Sequence, residues 1–509
     1  MHLVWFKRDL RIHDHAVLST AARHGPVLPL YIVEPSLIQA PDFAARHWTF
    51  LYGCLCELRT TLARLGQPLV VRVGEAVEVL ERLTCEWPIE AIWAHEETGN
   101  LLSYARDRAV RRWARARGLP FYELPQNGVV RRLPSRDEWQ MRWEERMSAS
   151  QAIPPSALPH IPIDPGPIPT AAALSLPPDT LVECQPAGET AALATLDDFL
   201  SRRSRHYHRA LSSPLTAWEG CARLSAYLAW GALSLRTVAQ ATRARIAELK
   251  QHPDPETTDW LRALSAFESR LHWHCHFIQK LEDEPDIEVR NLVRAYDGMR
   301  EEHHRLDLIA AWAAGRTGYP FVDACMRALT ATGWLNFRMR AMLVSFVCYD
   351  LWQHWREPAL ILARRWIDYE PGIHYNQMQM QSGTSDHHTI RIYNPIKQGI
   401  DHDPEGVFIR RWVPELAHVP AAYIHTPWLL DRTAQDRTGC RIGRDYPLPI
   451  VDHDSACRRA RAAIAAVRSR PETAQEVAAV HQKHGSRQRQ PDRRRQPKHV
   501  TVRQLRLDL

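Results

Sequence analysis

Apolar residues near the start of the chain fall in short runs separated by longer amphipathic stretches. Leu3–Phe6, Val27–Val33, Leu69–Val73, Ala91–Ala94 and Pro120–Leu124 read as strands, and Ala45–Leu65 and Asn100–Arg117 carry helical spacing between them. Strands alternating with helices predict right-handed crossovers and a doubly wound parallel sheet over residues 1–130. Ligands of such sheets lie beyond the carboxyl ends of the strands. Over 131–195 the pattern stops. IPPSALPHIPIDPGPIPT and LSLPPDT hold too much proline for a packed helix and predict a connector wrapped over the surface. From 196 to 470 the spacing is almost wholly helical, and 471–509 reads as a basic tail. From Lys483 onward that tail is polar and free of aromatics, which predicts disorder and a capacity to touch phosphates. The expected fold class is an α/β N-terminal domain with a doubly wound parallel sheet, joined to a large all-α C-terminal domain.

The sharpest stretch runs from Gly315 to Gly399. Phe321, Cys325, Ala328 and Leu329 recur at helical spacing, Gly333 ends that helix, and a second from Trp334 buries Met339, Met342, Leu343 and Phe346. Asn336, Arg338 and Arg340 nevertheless sit on this apolar helix, and Trp366-Ile367-Asp368-Tyr369-Glu370 follows. Charges on a buried hairpin are costly unless they meet partners or a polar ligand. Internal ion pairs and a bound polar molecule account for them equally well.

Composition narrows the classes. A length of 509 residues implies two or more domains, and 45% hydrophobic with 24% charged residues suits an ordinary soluble protein. No apolar run reaches the roughly 18 residues of a membrane span, and the chain enters a strand at once without a secretory segment. Ten scattered cysteines without a CxxC form neither a disulfide framework nor a zinc spacing, so reduced thiols in a cytoplasmic protein are expected. His272 and His276 share a helix face, but no carboxylate or cysteine completes a metal set around His272, His274 and His276; hydrogen-bonded histidines near a polar cofactor are the expectation. A net charge of +7 suits an anionic partner.

The motifs VWFKRDLRIHDH, TGYPFVDACMRAL, TGWLNFRMRAML, DLWQHWRE, RIYNPIKQG, FIRRWVPEL and DYPLPIVDH, in this order, resemble the DNA photolyase/cryptochrome family over nearly the whole chain. The resemblance implies FAD in the helical domain. Tyr207 and the loop Gly220, Cys221, Ala222, Arg223, Leu224 and Ser225 match the flavin-phosphate region, entering a helix at Leu224–Trp230 whose dipole would face the pyrophosphate. Cys221 and Ala222 stand where the family more often has a hydroxyl residue and serine. Arg270 matches the arginine that reaches the phosphates. Arg340 and Asp368 match the pair beside the isoalloxazine, followed by Tyr369 and by Glu370 in place of a second aspartate. His374 takes the position facing flavin N5, where a histidine could exchange a proton near neutral pH. The resemblance also implies a place for an antenna chromophore in the N-terminal domain. No pigment-binding set matches residue by residue, so its presence and identity stay open.

Two family features are broken. The two tryptophans, glutamate, asparagine and methionine around a flipped lesion read here Ser269, Met380, Ala266, Phe337 and Ala341, the assignments at Ser269 and Ala266 being open to a slip of one turn. The electron wire of three tryptophans keeps only Trp355; its flavin-proximal position is Met378, and its distal one falls near Glu302. Trp352 or Trp366 would have to supply a bypass. Arg338, Phe337, Asn394, Lys397 and Gln398 match positions on the strand-binding face, a solvated rim being the alternative. The implied function is light-driven electron transfer from reduced flavin to damaged or single-stranded DNA, by a monomer acting as a carbon–carbon lyase. The alternative is a cryptochrome-like photoreceptor that converts no substrate. A nucleic-acid binder with an inert flavin is the weakest reading.

Overall fold

The computed structural model describes residues 1–251, 254–385 and 390–485. Strands β1 (His2–Phe6), β2 (Val27–Val33), β3 (Val70–Val73), β4 (Ala91–His95) and β5 (Phe121–Leu124) form a parallel sheet in the order β3-β2-β1-β4-β5. β1 is its hub, with His2 in register with Val27 on one side and Ala91 on the other. Every residue of β1 is buried, as expected of a strand covered on both faces. Helices α1 (Ala16–His24), α2 (Ala45–Arg64), α3 (Ala76–Glu86) and α4 (Leu101–Ala116) supply the crossovers. α2 sends Trp48, Leu51, Leu55, Leu58 and Leu62 into the core, one stripe at helical spacing. All five expected strands are present, with ends that agree to within a residue.

The proline-rich connector contains one amphipathic helix that its composition concealed, α5 (Trp139–Ser148), which buries Trp139, Trp143 and Met147. Beyond it the chain is irregular to 188, yet it is more than a surface strap. Leu158, Ile161 and Ile163 are buried, and the Leu158 N–H bonds the Leu65 carbonyl at 2.6 Å.

The rest is helical. The elements that matter below are α6 (Pro214–Gly220), α7 (Ser225–Ala229), α8 (Pro255–Asp283), α9 (Pro320–Thr332), α10 (Phe337–Ser345), α11 (Pro371–Ser382), α12 (Pro395–His402) and α13 (Pro471–His484). α9 ends at Gly333, with φ of 69°, where a Cβ would lie 2.4 Å from Ile367 Cγ2. Only glycine meets both demands. The next helix starts at Phe337 rather than Trp334, because the Asn336 amide donates to the Leu211 and Ser212 carbonyls at 3.0 and 2.9 Å instead of capping. α10 runs into a π-helical turn, Phe346–Asp350, followed by Trp352 at a φ of 56°. α13 is helical where an irregular tail was expected. Its Glu476 carboxylate accepts the Arg294 and Ala295 N–H groups at 2.6 and 2.9 Å. Most of the basic stretch from Lys483 lies outside the described residues. Among the described residues no helix is long and apolar enough to cross a membrane.

The sheet and the helices share one apolar cluster, in which Phe6 and Trp48 meet Tyr227 and Trp230. Arg8, at the end of β1, crosses the junction. It donates to the Ala229 and Tyr369 carbonyls at 2.8 and 2.7 Å, pairs with Glu370 at 3.2 Å and lies 4.9 Å from the Trp230 ring centre. Within the helical part, α8 and α11 touch backbone to side: a Cβ on Gly372 would lie 2.6 Å from Ile278 Cα. Gly372→Ala is therefore expected to lower stability by about 1–3 kcal/mol through overpacking. Thermal unfolding checks this, and an unchanged midpoint would mean that the helices have slack.

Candidate functional site

The loop between α6 and α7 turns at Arg223, whose φ of 60° is uncommon for a residue with a side chain. Gln185 Nε2 holds it there by donating to the Arg223 carbonyl at 2.6 Å. The guanidinium is wedged between aromatic rings, 3.8 Å from the Trp218 centre and 4.0 Å from that of Trp334. Burial lowers its pKa to about 10, and its Nη1 is buried without a partner. Arg203 ties the loop from behind, donating to the Cys221 carbonyl and, at 3.3 Å, to that of Ala222. The expected helix at Leu224–Trp230 is shorter than foreseen, spanning only Ser225–Ala229. Five residues sum little dipole, so the attraction for an anion must come mainly from the guanidinium groups.

Arg340 meets Asp368 through both nitrogens, at 3.1 and 2.8 Å, and donates a third bond to the Leu335 carbonyl. The Asp368 carboxylate is 2% exposed and the Arg340 side chain 27%, so the pair stands at a cleft edge. Arg223 feels the charges of both Asp368 and Arg340, and Tyr207 bonds Arg270. Cys221 is near Arg223, Arg203 and Arg340, and its thiol is pushed up to about 12 by burial. Tyr207, Cys221, Ala222, Arg223, Leu224, Arg270, Arg340 and Asp368 are thus drawn into one region, with Ser225 and Arg270 exposed.

Three residues of the expected flavin contact set have polar atoms engaged within the protein. The Tyr369 hydroxyl donates to Asp42 Oδ2 at 2.6 Å, and Glu370 pairs with Arg8, so both face the N-terminal domain. His374 Nε2 bonds the Ala359 carbonyl at 2.9 Å, and burial pushes the imidazole down to about 4 from an ordinary 6.5. The imidazole is therefore held neutral near pH 7. Met378 and Trp355 are buried in the same apolar cluster. Lys397 pairs with Asp401 at 2.9 Å on its own helix, Asn394 caps that helix, and the Gln398 Oε1 is buried without a partner. Arg338 reaches Ser212 Oγ at 3.5 Å. The three histidines of α8 diverge, and two of them pack away from the cleft. His272 lies 4.7 Å from the Trp139 ring, His276 bonds Arg136 at 2.7 Å, and His274 lines a polar cavity of about 30 Å³ with Glu370.

One residue was missed. Trp273, a turn beyond Ser269 on α8, is 41% exposed with the Arg270 guanidinium 4.2 Å from its ring centre. Helical repetition had allowed this one-turn alternative. Phe337 is 52% and Trp218 37% exposed. Ser269, Ala266 and Met380 are partly buried, and Ala341 is fully so.

At the sheet's switch point between β1 and β4, charges pair among themselves. Arg106 meets Glu34 at 2.9 Å and Glu97 at 2.5 Å, and Lys7 pairs with Asp107. The adjoining cavity of about 110 Å³ is small beside the roughly 300–1,000 Å³ of a typical ligand pocket. Asp9, His15 and His95 cluster nearby with spacing that would suit a metal, but Asp9 already accepts from both rings, at 3.0 and 2.6 Å, and from the Lys7 N–H at 2.7 Å. The His15 Nδ1 is likewise occupied, by the Leu18 N–H.

A parallel sheet joined to a helical domain with converging arginines defines a protein that holds a phosphate-bearing cofactor. Comparison with known proteins agrees. Residues 2–134 match the model for DNA photolyase, and 267–466 that for the FAD binding domain of DNA photolyase. The chain is 32% identical to a cryptochrome DASH of Gloeobacter violaceus, covering 88% of this chain and 93% of that protein. It is 31% identical to a deoxyribodipyrimidine photo-lyase of Agrobacterium fabrum, covering 92% and 98%. The crystal structure of a bacterial class III photolyase from Agrobacterium tumefaciens superimposes with a TM-score of 0.78 at 30% identity, covering 92% and 98%. The chain belongs to the DNA photolyase/cryptochrome family and carries its FAD-binding domain. The residues present fit that cofactor, since Arg223 keeps a buried Nη1 without a partner and Ser225 and Arg270 stay open to solvent.

Arg340→Ala would leave the Asp368 carboxylate buried and alone, at a cost of about 3 kcal/mol; loss of stability together with FAD retention, read by unfolding and absorbance, is the expected outcome. His374 sets a pH dependence whose sign is fixed. Its folded pKa lies below its unfolded one, so the unfolded chain binds the extra proton between them. Its contribution to stability is full above pH 6.5 and is lost as pH falls toward 4. His374→Asn is expected to flatten that acid limb in unfolding midpoints taken across pH.

Proposed function

We propose that the chain is a FAD-dependent photolyase that uses blue light to repair a lesion in DNA. When bound and reduced, FAD supplies the excited-state electron that breaks the lesion's bonds and later recovers it. Arg223, Arg270, Ser225 and the backbone of 221–225 hold its phosphates. Arg340 offsets negative charge beside the ring, and Asp368 keeps Arg340 in place.

The observation that carries the reading is the row of exposed aromatic faces interleaved with cations around that cleft. The guanidinium groups of Arg223 and Arg270 lie against the Trp218 and Trp273 rings, and the exposed Phe337 precedes Arg338 at the start of α10. Aromatic faces next to guanidinium groups bind unstacked bases without reading sequence. Arg338 and Lys397 dock phosphates, the surface pair with Asp401 being weak enough to give way. Trp273 supplies a stacking face one turn from the serine, so the lesion pocket is less depleted than the sequence implied. The ten free cysteines suit a reducing cytoplasm. We take the protein to act there as a monomer, which light scattering checks.

The cryptochrome-like alternative draws on Met380, which removes a stacking contact to a lesion, on Phe337 in place of the asparagine, and on the similarity to the cryptochrome DASH. Illumination of the reduced protein with UV-damaged oligonucleotide, followed by an assay for restored bases, separates the two. Turnover supports repair. No turnover, with light-dependent loss of hydrogen-exchange protection in α13, supports the receptor. Trp273→Ala is expected to weaken binding of the damaged oligonucleotide by about 1–3 kcal/mol, read by fluorescence anisotropy at unchanged FAD content.

A further inference from the structure

Methionine at 378 removes the tryptophan that would link the flavin to Trp355, yet another aromatic path reaches Trp355. The Tyr375 ring centre lies 6.5 Å from that of Trp355 and 6.5 Å from that of Tyr369. The two phenol oxygens are 3.3 Å apart, and the Tyr369 hydroxyl donates to Asp42 Oδ2 at 2.6 Å. A phenol has one proton to give. With that of Tyr369 committed to Asp42, the contact between the phenols is Tyr375 donating to Tyr369. His374, at the position nearest the flavin by family resemblance, packs 5.3 Å from Tyr369 and 5.2 Å from Tyr375.

The surroundings favour these phenols over the tryptophans as electron donors. Trp352 and Trp366, the candidate bypasses, carry guanidinium groups over their rings: Arg300 at 4.5 Å and Arg340 at 4.0 Å. A fixed positive charge there opposes a radical cation on the indole. Arg356 stands 5.3 Å from the Tyr375 ring and opposes a cation in the same way. A phenol escapes that penalty, since it can release its proton with the electron, and Tyr375 has a relay to a carboxylate. Burial pushes both phenols up, so neither donates as a phenolate. Asp42 also accepts from Asn100 at 2.9 Å and lines the cavity of about 110 Å³ at the domain junction, which gives the proton somewhere to go.

We propose that Tyr375 and Tyr369 replace the missing tryptophan as electron donors to light-excited, oxidised FAD, with Asp42 accepting the proton. The proposal rests on the cofactor reading above. One electron leaves Tyr375 for the flavin. The Tyr375 proton moves to the Tyr369 oxygen while the Tyr369 proton moves to Asp42 Oδ2. The products are a neutral tyrosyl radical, a protonated Asp42 and a flavin carrying one more electron. Trp355 then returns an electron to Tyr375 as the proton runs back along the relay. Its own indole N–H stays bonded to Asn291 Oδ1 at 2.7 Å, and a solution thiolate refills the indole and leaves as a thiyl radical. The part-exposed His354 lies 5.3 Å from Trp355.

The test illuminates the FAD-loaded full chain, oxidised, with a small thiol present. Bleaching of the flavin band gives the rate, and spectra of samples frozen under light identify the radical. The expected wild-type radical is tyrosyl. Tyr375→Phe keeps the ring and its packing and should slow bleaching by about tenfold or more, the factor set by about 1.4 kcal/mol of barrier. Asp42→Asn should slow it too and abolish the solvent deuterium isotope effect, which a purely structural role would not move. Adding Met378→Trp to Tyr375→Phe should restore the rate with a tryptophan radical in place of tyrosyl. Equal bleaching in the Tyr369→Phe, Tyr375→Phe double variant and the wild type overturns the relay, as does a wild type showing no tyrosyl signal. A chain that takes up no FAD at all refutes the cofactor reading instead.

Discussion

The ion pair between Arg340 and Asp368 is the fixed point of the cleft. Asp368 lies in the turn between the helix Arg356–Ala363 and α11, and its carboxylate is held there by two guanidinium bonds. With Asp368 pinned, the next two residues have little choice. Tyr369 is turned to Asp42 and Glu370 to Arg8, so three consecutive side chains tie the helical domain to the cleft and to the sheet. A neutral pair at Arg340 and Asp368 would leave this segment free to roll, and both the flavin side and the phenol side would lose their register.

Around that point the molecule meets a recurring difficulty. A guanidinium taken from water needs compensation, but one fully engaged by carboxylates has nothing left for phosphates. Arg223 meets the difficulty by lying between the Trp218 and Trp334 rings. A ring face offsets part of the desolvation cost through its quadrupole while leaving the N–H fork free. Arg340 lies over Trp366 in the same way, and its fixed charge there opposes a radical cation on that indole.

The sheet was legible because its strands are buried on both faces and read as uninterrupted apolar runs, LVWF and VLPLYIV among them. α5 was not, since its two tryptophans sit among charged residues in a proline-rich stretch, and α13 was read together with the basic stretch that follows it. At the site, the identities of Arg223, Arg270, Arg340 and Asp368 could be taken from motifs, but the direction of a side chain could not. His374 faces inward because Ala359, fifteen residues earlier, offers a carbonyl that no local pattern announces. Trp273 was displaced by one turn because a helix repeats its face every three to four residues, so an arginine anchor alone leaves the register ambiguous.

Arg8 bears on how such a chain can be cut or recombined. Its donors end on Ala229 and Tyr369, its charge on Glu370, and its plane on Trp230, all in the other half of the molecule. A helical fragment produced alone would strand the Glu370 carboxylate and leave bare the face beside Trp230, so it would be no miniature of the whole. Chimeras that exchange halves between relatives would have to carry the arginine and its acidic partner as a matched set, which makes this junction a unit of inheritance rather than a seam.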